Sequence, residues 1–259
     1  MLDIAGNVAT VTLNRPERLN ALNRGLQQDI LDVCAELKND DNVRAVVITG
    51  AGRGFCAGAD LLGPRPAAIE QPPWQQMMDE YSWVGRQAYA VYHIDKPTIA
   101  AVNGVAAGAG MSIALACDLR VGCEATRFKT VFIERNLAPD SGMSYFLPRI
   151  VGSGNALDMI LTSRPVGAEE ALRMGLLQYL VPNEKVVSRA QEVAAQIAAH
   201  PPIAAMMSKR AVQHSLDSDF DAQLKYEVRA IEIARRASKD AMESIASFRE
   251  KRAPHYTGH

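Results

Sequence analysis

Two glycine-rich stretches hold the residue types best suited to chemistry. The longer runs from Asn103 to Asp118 and reads Asn-Gly-Val-Ala-Ala-Gly-Ala-Gly-Met-Ser-Ile-Ala-Leu-Ala-Cys-Asp. Gly104, Gly108 and Gly110 let other groups approach the backbone closely, and the small residues from Met111 to Cys117 suit a buried helix. A strand, a glycine-rich turn and a helix start leave unpaired backbone N–H groups aimed at one spot, which suits an anion or a developing oxyanion. The alternative is a tight strand-to-helix connection in an α/β core. The second stretch, Gly50 to Leu61, also follows a strand. A dinucleotide fingerprint starting at Gly50 needs glycine at position 55, which is Phe55, and no Gly-Lys-Ser/Thr follows for a nucleotide-phosphate loop. Ser112 has no His or Lys partner at a recognisable spacing, so it reads as packing at a helix start rather than as a nucleophile. The five histidines are scattered without HExxH spacing, and no metal site is expected.

The elements that must position these stretches follow from periodicity. Val8 to Leu13 is β-rich and ends at the turn-like Asn14-Arg15-Pro16. Leu26, Ile30, Val33 and Leu37 recur at helical spacing behind a capping Asn23, predicting a helix to about Lys38. Val43 to Thr49 is the clearest strand, so the strand–helix–strand order predicts a crossover unit and a partly parallel sheet. Thr98–Val102 and Leu119–Gly122 read as further strands. Residues 63–75, with Pro64, Pro66, Pro72 and Pro73, read as a mobile loop before a helix bearing Trp74, Met77, Met78, Tyr81 and Trp83. Those apolar residues either line a ligand pocket or simply pack. Pro139-Asp140-Ser141-Gly142 is turn chemistry, with Asp140 or Ser141 placed to cap a helix near Gly142. Helical segments are expected at 156–161 and 168–174, with a last short strand at Tyr179–Val181. From about Asn183 the chain reads as continuous helix over 183–199, 201–215, 219–236 and 239–252, packing on the core or on another subunit.

Composition bounds the partners. The chain has 259 residues, 48% hydrophobic and 22% charged, which is ample for a large core. A formal net charge of −1 gives no electrostatic case for nucleic acid or an acidic membrane surface. Cys34, Cys56, Cys117 and Cys123 form no CxxC pair and read as reduced thiols, with one reactive thiol left open. The start, Met1 to Gly6, lacks a basic region and a long apolar run. No apolar run approaches the roughly 20 residues of a membrane helix, so a cytoplasmic protein is expected.

Phe55-Cys56-Ala57-Gly58-Ala59-Asp60-Leu61 and Ala101 to Gly110, taken together, resemble the crotonase superfamily, the enoyl-CoA hydratase/isomerase family. Leu13-Asn14-Arg15-Pro16-Glu17-Arg18-Leu19-Asn20-Ala21-Leu22 resembles its first motif. Cys117-Asp118-Leu119-Arg120 is similar to the segment after its second turn, and Pro139 through Gly152 to a third motif. In order, these cover most of the chain to about residue 185. The resemblance implies an α/β (α+β) fold, a spiral of ββα units with a helical C-terminal region. Residues 1–195 would form the core with an acyl-CoA site, and 196–259 would serve trimer packing and cover that site. It implies a homotrimer or dimer of trimers, an acyl-CoA thioester as substrate, and no cofactor or metal beyond the CoA moiety.

The resemblance also implies roles for particular residues. Two backbone N–H groups, those of Ala59 and Ala109, would polarise the thioester carbonyl. The CoA site would include Arg18, Ala21, Ala57, Asp60, Leu61 and Gly108. Leu62 stands where many relatives carry lysine, and Arg65 is the candidate substitute. Trp74, Met78, Trp83 and Phe132 would line the acyl pocket. Hydratases of the family hold water between two glutamates, and Ser112 and Phe132 occupy those positions here. Asp140 is the surviving carboxylate, at the turn where isomerase-type relatives place theirs. Partly apolar surroundings would raise its pKa toward working pH. Its other reading is the helix cap. Glu134 is an alternative carboxylate, expected instead to pair with Arg135 or Lys129. An aryl-CoA dehalogenase relative would use Asp140 as nucleophile, but its histidine and tryptophan correspond to Gly85 and Phe132. The implied activity is a double-bond shift in an enoyl-CoA. Hydration by a single carboxylate and a non-catalytic acyl-CoA binder are the alternatives.

Overall fold

The computed structural model describes residues 1–63 and 74–259. The expectations for a proline-rich mobile loop and for Arg65 lie outside the described residues. Strands β1 (Leu2–Ala5) and β2 (Val8–Leu13) form an antiparallel pair, followed by helix α1 (Arg24–Asn39), β3 (Ala45–Gly50) and β4 (Gly54–Cys56). Asn23 caps α1, its Oδ1 accepting from Leu26 N at 2.9 Å. At the other end of α1 the buried Lys96 ammonium donates to the carbonyls of Leu37 and Asp40, satisfying the helix C-terminus. Next come α2 (Trp74–Met77) and α3 (Ser82–Tyr92). The single helix expected here is broken, because Ser82 takes a left-handed φ of +52°.

The chain then repeats one pattern. β5 (Thr98–Val102) leads into β6 (Val105–Ala107) and α4 (Ala109–Ala116), and β7 (Leu119–Cys123) leads into β8 (Arg127–Lys129) and then α5 (Met143–Val151). In each unit the first strand joins one sheet and the short second strand joins another, so the chain spirals. After α6 (Ser153–Thr162), β9 (Val166–Gly167), α7 (Ala168–Arg173) and β10 (Tyr179–Val181), the larger sheet has the order β1-β2-β3-β5-β7-β10 and the smaller β4-β6-β8-β9. The larger sheet is parallel from β2 to β10. This is the α/β spiral with ββα units that the motifs implied.

Alternation along the large sheet explains its burial on both faces. Val46 and Ile48 of β3 face a core shared with α1, α4 and α5, whereas Ala45 and Val47 face a second core closed by Val186, Ala190 and Val193 of α8 (Val186–Ala198). Helices α9 (Pro202–Ser215), α10 (Phe220–Arg235) and α11 (Ser238–Glu250) complete the chain. Lys209 of α9 is anchored by Asp118 at 2.8 Å, beside the large sheet. Among the described residues no helix is long and apolar enough to cross a membrane.

Candidate active site

Glycines bring the two chemistry-bearing stretches into backbone contact. A Cβ at Gly110 would lie 2.2 Å from Cys56 O, and one at Gly104 would lie 2.2 Å from Arg53 O. Gly58 has φ +89°, and a Cβ there would sit 2.7 Å from Ala107 O and 3.6 Å from Ala109 N. The approach places the residue before Ala59 against the start of α4.

The hydrogen-bond pattern leaves both alanine N–H groups unpaired. Leu22 N donates to Gly58 O at 2.7 Å and Asp60 N donates to Leu22 O at 3.0 Å, so the parallel bridge uses the residues on either side of Ala59. In α4 the first intrahelical bond runs from Ser112 N to Gly108 O at 3.0 Å. Ala109, as the first helical residue, is therefore one of the helix's orphan donors. Neither N–H meets a protein acceptor among the described residues. Two unpaired donors, one of them at a helix N-terminus and the other next to Gly58 packed against it, are the groups that suit the oxygen of an enolate.

Two asparagines brace this arrangement. Asn20 is fully buried; its Nδ2 donates to Gly54 O at 2.8 Å and Ala51 O at 3.0 Å, while its Oδ1 accepts from Arg15 N at 2.8 Å. Asn103 Nδ2 donates to Gly50 O at 2.8 Å and Gly52 O at 2.9 Å. Together they hold the β3–β4 turn from both sides, a role that sequence reading missed.

The residues assigned to CoA come together along the same seam. Ala57 N donates to Leu19 O at 2.9 Å and Ala21 N to Arg18 O at 3.1 Å, so Arg18 and Ala21 lie beside Ala57, Asp60 and Leu61. Arg18 and Leu61 are exposed. The Asp60 carboxylate is engaged inside the protein, pairing with Arg15 at 2.9 Å and accepting from Leu62 N at 3.2 Å. The Arg15 guanidinium holds that carboxyl below its usual range. Gly108 takes φ +49°, and a Cβ there would meet Val131 Cγ2 at 3.1 Å. Val131 itself, a β-branched residue, has φ +58°, which is strained backbone beside the donor helix.

Asp140 is half-buried, and neither it nor Ser141 caps α5. Gly142 is the cap residue, without a side-chain cap bond. The expected capping fails because Ser141 and Gly142 both adopt left-handed backbone, φ +54° and +80°. Asp140 Oδ1 instead accepts from Ser141 Oγ at 2.9 Å. Burial pushes the Asp140 carboxyl upward, and the Ser141 hydroxyl opposes the shift. Glu134 pairs with Lys129 at 2.6 Å, which holds its carboxyl down. Ser112 and Phe132 are both buried; the Ser112 hydroxyl has no hydrogen-bond partner. Phe132 shares a core with Ala109 and Met143. Trp74, Met77, Met78 and Trp83 stand exposed. Burial pushes the thiols of Cys34, Cys56 and Cys117 up to about 12, so none of these three is poised to react.

The spiral of ββα units and the paired glycine-rich turns define a crotonase-type fold. The family model for enoyl-CoA hydratase/isomerase matches residues 3–259, and the chain belongs to that family. It is 34% identical over 251 residues to 1,2-epoxyphenylacetyl-CoA isomerase of Escherichia coli, covering 97% of this chain and 95% of that one. It is also 34% identical over 254 residues to short-chain-enoyl-CoA hydratase of Clostridium acetobutylicum, with 97% and 95% covered. The crystal structure of an enoyl-CoA hydratase from Bacillus anthracis superposes with a TM-score of 0.92 at 32% identity, covering 100% of this chain and 99% of that one.

Proposed function

We propose that the protein shifts a double bond in an enoyl-CoA thioester, with Asp140 as its acid–base residue. One observation carries the reading. The two positions where hydratases of the family hold water between glutamates are a buried serine and a buried phenylalanine, Ser112 and Phe132, while Asp140 is a half-buried carboxylate whose side chain accepts only from a neighbouring hydroxyl among the described residues. The thioester oxygen would sit between the N–H groups of Ala59 and Ala109, which stabilise the negative charge formed when a C2 proton leaves. Asp140 removes that proton from a 3-enoyl thioester, the electrons delocalise over C2 to C4 and the carbonyl, and the same carboxyl returns a proton at C4. No metal and no cofactor beyond the CoA moiety enters this scheme. Arg18, Ala21, Ala57, Leu61 and Gly108 are assigned to the CoA site, with Asp60 holding it together.

Hydration of a 2-enoyl thioester by a single carboxylate is the second reading, supported by relatives named as hydratases. Incubation with 3-hexenoyl-CoA separates the two, since migration creates a conjugated thioester absorbance and hydration of crotonyl-CoA removes one. Asp140→Asn is expected to abolish migration while CoA binding persists. Unchanged turnover in that variant would point to another base, and no turnover of either substrate by the wild type to a non-catalytic binder. The exposed apolar residues Val212, Leu224, Val228, Ile231, Ile245 and Phe248 on α9 to α11 support assembly as a homotrimer or a dimer of trimers.

A further inference from the structure

Ser141 sits at the crossing of two hydrogen-bond acceptors. It is 4% exposed, and its Oγ lies 2.6 Å from Val84 O of α3 and 2.9 Å from Asp140 Oδ1. Gln87 of α3, also buried, places Nε2 3.5 Å from the same Oγ. A serine hydroxyl carries one proton, so it donates to one of the two oxygens at a time, while its lone pairs accept from Gln87. Left-handed backbone at φ +54° holds it there, a conformation uncommon for a residue with a side chain.

We propose that Ser141 is the positioning residue of Asp140, a hydroxyl rotor that donates to the carboxylate when it is ionised and turns to the Val84 carbonyl when it is protonated. The inference rests on Asp140 being the base. In the ionised state Ser141 fixes Oδ1 and leaves Oδ2, which has no protein partner among the described residues, for the substrate proton. Once Oδ2 carries the C2 proton, the carboxyl no longer needs a donor, and the hydroxyl swings to Val84 O. Gln87 donates to Ser141 in both states. No proton leaves Ser141; the one taken from C2 stays on Asp140 until it is returned at C4. A donor fixed on the carboxylate would orient it but weaken it as a base. A rotating donor orients it and releases it.

Among the described residues no charged group on the surrounding elements pairs with Asp140, whose carboxylate meets only the Ser141 hydroxyl. On α3, Arg86 pairs with Asp79 at 2.6 Å, and His93, just past its end, stacks on Tyr89 with Tyr92 at its edge. On α5, Arg149 pairs with Asp217 at 3.2 Å and the Tyr145 hydroxyl donates to Asp217 at 2.9 Å. In the 133–135 turn Glu134 is held by Lys129, and Arg135 forms no ion pair with Asp140. Helix α4 carries no charged residue. The Ser141 hydroxyl is therefore the group set to tune Asp140.

Ser141→Gly removes the hydroxyl at a position whose backbone glycine adopts without strain. Rates of double-bond migration in 3-hexenoyl-CoA across pH, for wild type, Ser141→Gly, Ser141→Ala and Asp140→Asn, test the proposal. Loss of a hydrogen bond to the carboxylate is expected to move the acid limb of kcat/KM up by about one pH unit, a roughly tenfold slower reaction below the limb, with KM within about twofold. Ser141→Ala, which removes the same hydroxyl on a strained backbone, must show the same limb. A limb and kcat unchanged in both serine variants, beside an inactive Asp140→Asn, overturns the rotor and leaves the base reading standing. An active Asp140→Asn overturns both.

Discussion

Arg15 and Asp60 are joined at 2.9 Å across the seam between the first motif and the residue that follows the Ala59 donor. Arg15 also donates to Ala21 O at 2.6 Å, so one guanidinium ties both sides together. Because Arg15 lowers the Asp60 pKa, this pair contributes stability above the ordinary carboxylate pKa, about 3.9, and loses it as pH falls through the lowered folded value. Asp60→Asn is expected to be less stable than wild type at neutral pH, with the gap closing in acid. Urea unfolding midpoints at several pH values check this; a gap independent of pH would refute it.

Asp140 carries the opposite sign. Its folded pKa is raised by burial, so stability is highest below the unfolded value and is lost as pH rises through the folded one. Asp140→Asn removes that loss. The variant should unfold at a higher temperature than wild type at pH 7, with the margin shrinking toward about pH 4, while turnover falls by about 10²–10⁴-fold. Thermal melts and rates on one preparation test both halves, and a variant that is both inactive and less stable would contradict the assignment.

Ser112 offers a gain with no functional cost. Its hydroxyl is buried without a partner, and a buried unpaired polar group costs about 1–3 kcal/mol. Ser112→Ala removes it within a helix that favours alanine. The expected result is a rise in unfolding free energy of about 1 kcal/mol, with turnover of 3-hexenoyl-CoA within twofold of wild type. Loss of activity would place the hydroxyl in the reaction.

Neighbouring positions should respond in opposite ways. Ala109→Gly retains the main-chain N–H, so activity should stay within a few-fold of wild type, and the cost at this first helical residue is at most about 1 kcal/mol. Gly110→Ala puts a methyl 2.2 Å from Cys56 O. It should destabilise the fold by roughly 1–3 kcal/mol or more and lower kcat by displacing the donor. Denaturant unfolding and steady-state rates for the pair distinguish backbone donation from side-chain chemistry.

Periodicity in the sequence revealed the parts held by long, buried, repetitive patterns. Val8–Leu13 and Thr98–Val102 are strands over those same residues, and Asn23 caps α1 as read. The short strands β4, β6, β8 and β9 were not legible, since two or three residues show no alternation, and two of them lie inside stretches read as glycine-rich turns. The capping of α5 by Asp140 or Ser141 failed because a Pro-Asp-Ser-Gly string does not specify which residues enter left-handed backbone. Glu134 was expected to pair with Lys129 or Arg135, and Lys129 is its partner. The bracing by Asn20 and Asn103 was invisible because its acceptors lie 31 to 53 residues away along the chain.

Gly58, Gly104 and Gly110 press two main chains together, and that contact bears on how such a protein can diversify. In the proposed reaction the carbonyl-binding atoms belong to the backbone, so substitution at Ala59 or Ala109, short of proline, would not delete them. A lineage is then free to exchange side chains at positions 112, 132 and 140, trying one reaction after another on an inherited electrophile. On that proposal variation is channelled into the proton chemistry, and the handling of the thioester oxygen is passed on intact.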